Sequence, residues 1–260
     1  MRVTVCELVN RDREAFEAAW WALAAHVVES DSELLLLPEM PFSRWLAAQP
    51  TVDAPRWAAS VRAHEQRLTE LPPLGAATLC STRPVGPAAG QRFQQSVVRT
   101  PGGAFLQPTH RKCLLPEEPG WHESRWYRHG PREFLPIACG STRLGFLVCT
   151  ELWFTEHARA YGRDGAEVLL TPRATDLGTL DRWLAAGRVA CIVAGAFGLS
   201  SNFSGPSESG HTWGGGGWVI DPNGEVLATT SRAQPFVTVD IDLAQARAAR
   251  STYPRYVVEP

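Results

Sequence analysis

Lysine is almost absent from this sequence. Of the 25 basic residues in the 260-residue chain, 24 are arginine and one, Lys112, is lysine. Because the chain uses arginine wherever a cation keeps its surface hydrated, its one lysine needs a separate explanation. Lysine carries a compact ammonium on a flexible stem, and its pKa responds readily to burial. Lys112 is therefore a candidate for a reaction centre, with a chance surface lysine as the alternative.

Charge of one sign and long apolar runs are also lacking. The 27 acidic and 25 basic residues leave a formal net charge of −2, which offers no basic footprint for nucleic acid or an anionic membrane. The longest apolar stretch lies near Ala18–Val28 and contains His26, so it is far shorter than the roughly 20 residues of a membrane span. The segment Arg2–Leu8 lacks the features of a signal peptide and is typical of a β-strand.

Cysteine pairs of the kind that bind zinc are missing as well. None of the six cysteines forms a C-x-x-C pair or has a histidine at zinc-finger spacing, which argues against a metal site. Without an export signal we expect reduced thiols and a cytosolic protein.

Strand-like and helical patterns alternate along the chain. The sequence predicts strands at 2–8, 33–38, 76–81, 94–99, 143–149, 167–171, 218–221 and 236–241, and helices at 13–29, 55–70, 152–162, 179–196 and 243–250. Asp221-Pro-Asn-Gly224 predicts a hairpin turn, since Asn and Gly tolerate positive φ. Several hairpins among the helices favour an α/β fold of two facing mixed sheets with helices outside, in one domain spanning 1–260.

Two further residues stand at predicted strand ends. Glu39 follows four consecutive leucines and Pro38, at the end of a buried strand where open α/β sheets place ligands. Cys149 ends an apolar strand and is followed by a predicted helix, whose N-terminus would lower the thiol pKa and offer N–H groups to an oxyanion. With Lys112 between them, the chain holds a carboxylate base, a cation and a thiol, the groups that acyl transfer requires.

The segments around these three residues resemble the carbon–nitrogen hydrolase (nitrilase) superfamily. They are Leu37-Pro-Glu39, His110-Arg-Lys112-Cys-Leu-Leu-Pro116 and Cys149-Thr-Glu-Leu-Trp-Phe154. The resemblance covers essentially the whole chain. It implies a four-layer αββα sandwich and a homodimer or higher homo-oligomer, without metal or organic cofactor. It also implies that Glu39 is the base, Cys149 the nucleophile, and Lys112 with the Thr150 N–H the oxyanion site.

The resemblance further implies a second carboxylate after the lysine. Glu117, Glu118 and Glu123 are the candidates, and the setting of Glu123 fits best. Aromatic residues near the three catalytic candidates are expected to form pocket walls, and Arg173 to meet a substrate carboxylate through its fork of N–H groups, with a rim arginine as the alternative. The predicted wall residues are Phe42, Trp121 and Trp153.

We therefore predict a thiol-dependent hydrolase of non-peptide C–N bonds, acting on a small amide or N-carbamoyl compound. Hydrolysis of a nitrile is the main alternative; it is less favoured because the chain lacks the long C-terminal extension of many nitrilases. The same residues are also compatible with a catalytically silent binding protein, with acyl transfer to an acceptor other than water, and with a papain-like Cys–His pair. The substrate itself is left open, because pocket shape depends on loop conformations.

Overall fold

The computed structural model describes residues 1–10, 13–87, 89–208 and 210–258. Its strands are β1 (Arg2–Val9), β2 (Leu34–Leu36), β3 (Thr78–Val85), β4 (Phe93–Arg99), β5 (Glu117–Glu118), β6 (Trp121–His122), β7 (Ile137–Cys139), β8 (Thr142–Phe146), β9 (Val168–Pro172), β10 (Phe197–Pro206), β11 (Thr212–Gly214), β12 (Trp218–Ile220), β13 (Val226–Thr229) and β14 (Phe236–Asp240). Its α-helices are α1 (Arg13–Glu29), α2 (Ala54–Thr69), α3 (Glu123–Trp126), α4 (Thr155–Arg163), α5 (Leu180–Ala194) and α6 (Leu243–Ala249). Short 3-10 turns lie at Leu46–Ala48, Cys149–Trp153 and Leu177–Thr179.

Two mixed sheets are joined along one edge. The first contains β4, β3, β2, β1 and β14, and the second contains β7, β8, β9, β10, β12 and β13. The C-terminal ends of β1 and β10 pair in parallel, with Glu7 opposite Asn202, and so connect the two sheets. The strands β2, β1, β10, β9 and β8 are parallel from neighbour to neighbour. Their carboxyl ends therefore open on one side of the molecule, where α/β folds place their sites.

The leucine side chains of β2 and the residue after it point alternately to two different cores, which shows why the sheets stack between helices. Leu34 and Leu36 belong to the core shared with the second sheet and α5, whereas Leu35 and Leu37 pack into the core shared with α1 and α2. All four side chains are fully buried, and each burial stabilises the fold by roughly 1.5–3 kcal/mol. The resulting order is helix, sheet, sheet, helix, which confirms the predicted αββα sandwich.

The central strand β10 was missed by the sequence prediction. Its run of serine and asparagine, Ser200-Ser-Asn202, is typical of a loop. In the structure these side chains are buried and hydrogen-bonded: Ser201 Oγ donates to the Leu36 carbonyl at 2.6 Å, and Asn202 Nδ2 donates to the Gly215 carbonyl at 2.9 Å. A polar strand can occupy the core because its donors find partners there.

The predicted hairpin turn is confirmed between β12 and β13. Asp221 Oδ1 accepts the N–H groups of Asn223 and Glu225, both at 2.8 Å, and Gly224 has φ +85°. Helix α1 also has the predicted bounds.

All six cysteines have free thiols. Among the described residues, no helix combines the length and apolar composition that crossing a bilayer would require. The same residues contain no group of three or more His, Cys, Asp and Glu side chains placed to hold a metal ion.

Candidate active site

Three candidate residues follow the carboxyl ends of parallel strands: Glu39 after β2, Cys149 after β8 and Arg173 after β9. Glu39 is completely buried, and its backbone N–H donates to the Arg173 carbonyl at 3.2 Å. This hydrogen bond links the first sheet to the second at the site. The parallel topology thus brings together residues that lie more than a hundred positions apart in the chain.

Lys112 lies at the centre of a buried cluster of charges. Its Nζ donates to Glu39 Oε1 at 2.7 Å and to the two Glu123 oxygens at 2.9 and 2.6 Å, and all three side chains are fully buried. Burial by itself would lower the pKa of Lys112, but the carboxylates of Glu123 and Glu39 outweigh it and raise that pKa well above its usual value. The one lysine of the chain is therefore a permanent buried cation.

The structure favours Glu123 over its two neighbours as the second carboxylate. Glu123 begins α3 and points at Lys112, whereas Glu117 and Glu118 lie in the exposed strand β5. Glu117 instead binds His122 and Arg125. Burial raises the pKa of Glu123, and the Lys112 charge opposes that rise. Glu39 raises it further, because two buried carboxylates share one cation.

Cys149 lies in a strained turn beyond β8. Its φ is +49°, a left-handed conformation that a non-glycine residue adopts only where the surroundings enforce it. Burial raises the pKa of the thiol well above its usual value, and the Glu39 carboxylate raises it further. Lys112 and a hydrogen bond from the Ala174 N–H lower it but are outweighed.

The prediction that a helix N-terminus would lower the pKa of Cys149 is therefore wrong. A 3-10 turn follows Cys149, α4 begins only at Thr155, and the cysteine is 2% exposed. Desolvation of a thiolate dominates over the small dipole of so short a turn. Cys149 consequently rests as a thiol and needs a base when it reacts.

One oxygen of Glu39 is available for that proton. Oε1 accepts from Lys112 and from Gln94 Nε2 at 2.7 Å, whereas Oε2 is buried without a hydrogen-bond partner among the described residues. The backbone carbonyl of Gln94 also accepts the Lys112 N–H at 2.9 Å. Gln94 thus positions both partners of the ion pair, and nothing in its sequence context within β4 marked it for this role.

A profile of the family described as Carbon-nitrogen hydrolase matches residues 2–251. The chain belongs to the carbon–nitrogen hydrolase family. This confirms the resemblance drawn from the Glu39, Lys112 and Cys149 segments.

The relatives of this carbon–nitrogen hydrolase include amidases. It is 26% identical to an (R)-stereoselective amidase from a Pseudomonas species, over 97% of this chain and 89% of that protein. It is 25% identical to an N-carbamoylputrescine amidase from Arabidopsis thaliana, but over 55% of this chain and 53% of that protein, about half the length of each. A carbon-nitrogen hydrolase from Helicobacter pylori G27 has the same fold, with a TM-score of 0.85, 21% identity and coverage of 98% of this chain and 94% of that one.

A further buried carboxylate of this carbon–nitrogen hydrolase, beside Glu39 and Glu123, was missed by sequence reasoning. Glu151 Oε1 accepts the Cys113 N–H at 2.7 Å, and Oε2 accepts the Val148 N–H at 2.9 Å and lies 2.7 Å from His110 Nε2. Burial would raise the pKa of Glu151, but His110 and the two backbone N–H groups outweigh it and hold that pKa below its usual value. Glu151 therefore ties the segment carrying Lys112 to the turn carrying Cys149.

The predicted wall residues lie in different places. The Nε1–H of Trp121 donates to the Ala174 carbonyl at 2.8 Å. Trp153 is 45% exposed and packs on Trp183 at 5.0 Å. Phe42 packs outward, in the core shared with α1 and α2, with its ring 5.5 Å from the rings of both Trp20 and His64.

The remaining two predicted residues are adjacent to the catalytic cluster. Thr150 is the half-buried residue after Cys149 in the 3-10 turn. Arg173 is completely buried, and so it is not the rim arginine that was the alternative.

Proposed function

We propose that this protein hydrolyses the C–N bond of a small amide or N-carbamoyl compound through a thioester on Cys149. Family membership supports the reaction type. The observation that carries the assignment is the buried cluster in which Lys112 binds Glu39 and Glu123 while Glu39 keeps one oxygen unpartnered among the described residues. A purely structural role would not require a lysine, two carboxylates and a strained cysteine in one desolvated place.

The first half of the reaction forms the thioester. Glu39 Oε2 takes the proton of Cys149 as the sulfur attacks the amide carbonyl carbon, which turns the carbonyl oxygen into an oxyanion. The Lys112 ammonium and the Thr150 backbone N–H stabilise that oxyanion. Glu39 then gives the proton to the leaving nitrogen, the C–N bond breaks, and ammonia or an amine departs.

The second half consumes water. Glu39 accepts a proton from water as the water oxygen attacks the thioester carbon, and it returns the proton to the sulfur when the C–S bond breaks. The products are the carboxylic acid and the free thiol. Glu123 touches neither reacting partner in this scheme; it holds the ammonium of Lys112 with two charge-assisted hydrogen bonds and so keeps the oxyanion site in place.

The pocket in this proposal is formed by residues around the nucleophile. Trp121 and Trp153 line the approach to Cys149. Phe42 acts indirectly, by fixing the loop that follows Glu39. Arg173 contacts the substrate through its guanidinium.

The test compares ammonia release from a matched amide and nitrile, butyramide and butyronitrile. We expect release from the amide, and its loss in Cys149→Ala with an unchanged circular dichroism spectrum. Release from the nitrile alone would replace our assignment with nitrile hydrolysis. Release from neither, with no covalent adduct on Cys149 by intact-protein mass, would favour a silent binding protein. A hydroxamate formed when hydroxylamine is added would show acyl transfer to an acceptor other than water.

We also propose that the protein works as a homodimer in the cytosol. The layer of α4 and α5, with the turns that lead into it, leaves three further large apolar side chains 39–52% exposed, and a second copy would cover them. These are Phe154, Leu177 and Val189. Six free thiols suit a reducing compartment. Light scattering after size-exclusion chromatography tests the dimer; a mass near 28.5 kDa, that of one chain, would contradict it.

A further inference from the structure

A cavity of about 380 Å³ lies between α1, α2 and the segment that follows Glu39. Small-molecule sites in proteins begin at about 300 Å³, so the cavity has room for a ligand. Its floor is apolar: the buried side chains of Phe16, Phe42 and Leu46 line it, and the two phenylalanine rings meet edge to face at 6.4 Å. The described residues that line it include none of the catalytic cluster.

Small side chains on one face of α2 keep this space open. Ala59 and Ser60 lie one helical turn before Ala63, and all three line the cavity. Larger side chains at these positions would occupy the space between α2 and α1. The wall is hydrogen-bonded across the cavity edge, since Ser60 Oγ lies 2.7 Å from Ser43 Oγ of the segment after Glu39. The cavity is therefore enclosed by packed elements with fixed contacts.

Four arginines surround the apolar floor: Arg13 on α1, Arg44 on the segment after β2, and Arg56 and Arg67 on α2. Two carboxylates of the described residues pair with them, each serving two arginines. Glu17 pairs with Arg13 and Arg67, and Glu208 pairs with Arg44 and Arg56. Four cations and two carboxylates leave this group with a formal charge of +2, in a chain whose net charge is −2.

This combination of charge and apolar surface selects a class of ligand. Guanidinium groups carry five N–H donors each and bind the oxygens of carboxylate, sulfonate or phosphate groups through paired hydrogen bonds. The apolar floor beneath them binds a hydrocarbon or aromatic body. Arginines that serve only to hydrate the surface would require neither a floor of buried aromatic rings nor a cavity.

The wall of the cavity continues into the catalytic segment. Phe42 is the third residue after Glu39. On the same segment, the Nε1–H of Trp45 donates to the Gly120 carbonyl at 2.9 Å, in the residue before Trp121. A ligand packed on Phe42 therefore contacts the segment that carries the base and that holds one wall residue of the catalytic pocket.

We propose that this cavity is an effector site, which binds a small organic anion with an apolar body and thereby changes the reactivity of Cys149. The proposal goes beyond the hydrolysis of an amide and does not depend on it, because the reactivity of the Cys149 thiol can be measured with an alkylating agent. The ligand is separate from the substrate, since its contacts lie outside the catalytic cluster.

The first test measures binding of two fluorescent probes to the wild-type protein. Anilinonaphthalene sulfonate is an aromatic anion, and phenylnaphthylamine is its analogue without the sulfonate. We expect the anion to bind one site per chain with a Kd at least about tenfold lower than that of the neutral amine, the size of one charge-assisted hydrogen bond. Added salt should narrow this difference, because it screens exposed charges. Equal Kd values, or no saturable binding of the anion, would overturn the proposal.

Variants then locate the bound anion. Arg44→Gln changes a side chain that is 59% exposed, so the fold should persist; it should weaken binding of the sulfonate about fivefold and leave that of the amine unchanged. Ala63→Phe fills the cavity and should abolish binding of both probes. Arg62→Gln is the matched control, because Arg62 is exposed on α2 and does not line the cavity. Equal weakening by Arg44→Gln and Arg62→Gln would place the anion elsewhere and refute the site.

The second test measures the effect of the bound anion on Cys149. Carbamidomethylation by iodoacetamide is followed by peptide mass, which separates Cys149 from the other thiols. At saturating anilinonaphthalene sulfonate we expect the rate to change at least about fivefold, the lower end of coupling between sites. In Ala63→Phe the probe should leave the rate unchanged.

The outcomes separate this proposal from the proposed reaction. Binding without a change in the rate at Cys149 would refute the effector role. A change that persists in Ala63→Phe would place the probe in the catalytic pocket and overturn the proposal. If no amide is hydrolysed but both tests give the expected results, the reaction assignment fails and the effector site stands.

Discussion

Glu151→Gln tests whether one buried carboxylate joins the two catalytic segments. In the wild type its oxygens accept from the Cys113 N–H, the Val148 N–H and His110. A glutamine carbonyl can occupy one oxygen position, but its amide NH2 then faces a backbone N–H, donor against donor. The variant loses one charge-assisted hydrogen bond and leaves one buried donor unsatisfied, each worth roughly 1.5 kcal/mol. Together these two losses lower the free energy of unfolding by about 3 kcal/mol.

For a chain of this size the loss corresponds to a Tm lower by about 6–12 °C, measured by circular dichroism. We also expect kcat to fall at least about tenfold. Glu151 no longer fixes the positions of Lys112 and Cys149 relative to each other, and small displacements of reacting groups slow the chemical step. Glu156→Gln, at a side chain 61% exposed, is the control and should change neither quantity. A Glu151→Gln protein with Tm within about 2 °C of wild type and normal kcat would refute the reasoning.

The free energy of unfolding at acidic pH offers a second test of the same variant. Because the folded pKa of Glu151 is below its unfolded value, its contribution is present above the unfolded pKa and is lost as pH falls through the folded pKa. The stability difference between wild type and Glu151→Gln should therefore shrink in acid. A difference that stays constant down to acid unfolding would contradict this.

Three further outcomes are expected. Lys112→Arg keeps the charge but must fit a larger, planar group into a fully buried space, so kcat should fall about 100-fold or more; a rate near wild type would refute the oxyanion role. Burial lowers the pKa of His64 to about 4, so this side chain stays neutral in the folded protein, where it accepts the Phe42 N–H. The free energy of unfolding should therefore drop by about 3 kcal/mol as pH falls from about 6.5 to about 4. Urea titrations of His64→Gln should not show this drop. Inactivation of Cys149 by iodoacetamide should accelerate steadily from about pH 6 to about pH 9, because the raised pKa keeps it a thiol at neutrality; a plateau below neutral pH would contradict a resting thiol.

Sequence reasoning located Glu39, Lys112 and Cys149, and the structure brings the three together. The reasons lie in the sequence itself: Glu39 and Cys149 each follow an apolar run, and Lys112 is the one lysine of the chain. The same local signals predicted α1, the hairpin at Asp221–Gly224 and the layered α/β fold, because amphipathic periods and turn residues act over a few positions.

Sequence reasoning missed features that depend on partners far away in the chain. Strand β10 has polar residues whose place in the core depends on acceptors such as the Leu36 carbonyl. The direction of the Cys149 pKa shift was predicted wrongly because a helix dipole can be anticipated from the sequence, whereas the burial of the thiol and the nearby Glu39 charge cannot.

What the sequence by itself determined, then, is which groups are present and which strand ends carry them: one lysine, one carboxylate after a leucine run, one cysteine at an elbow. Only the tertiary structure decided which groups meet. It brought Glu123, which the sequence already favoured, into contact with Lys112, bonded Gln94 to Glu39 and Glu151 to the Cys113 N–H, and buried Arg173 without a direct counter-ion among the described residues. Hydrogen bonds and desolvation act over a few ångströms of space, and the distances that set them exist only once parallel strands from two sheets have brought their carboxyl ends together.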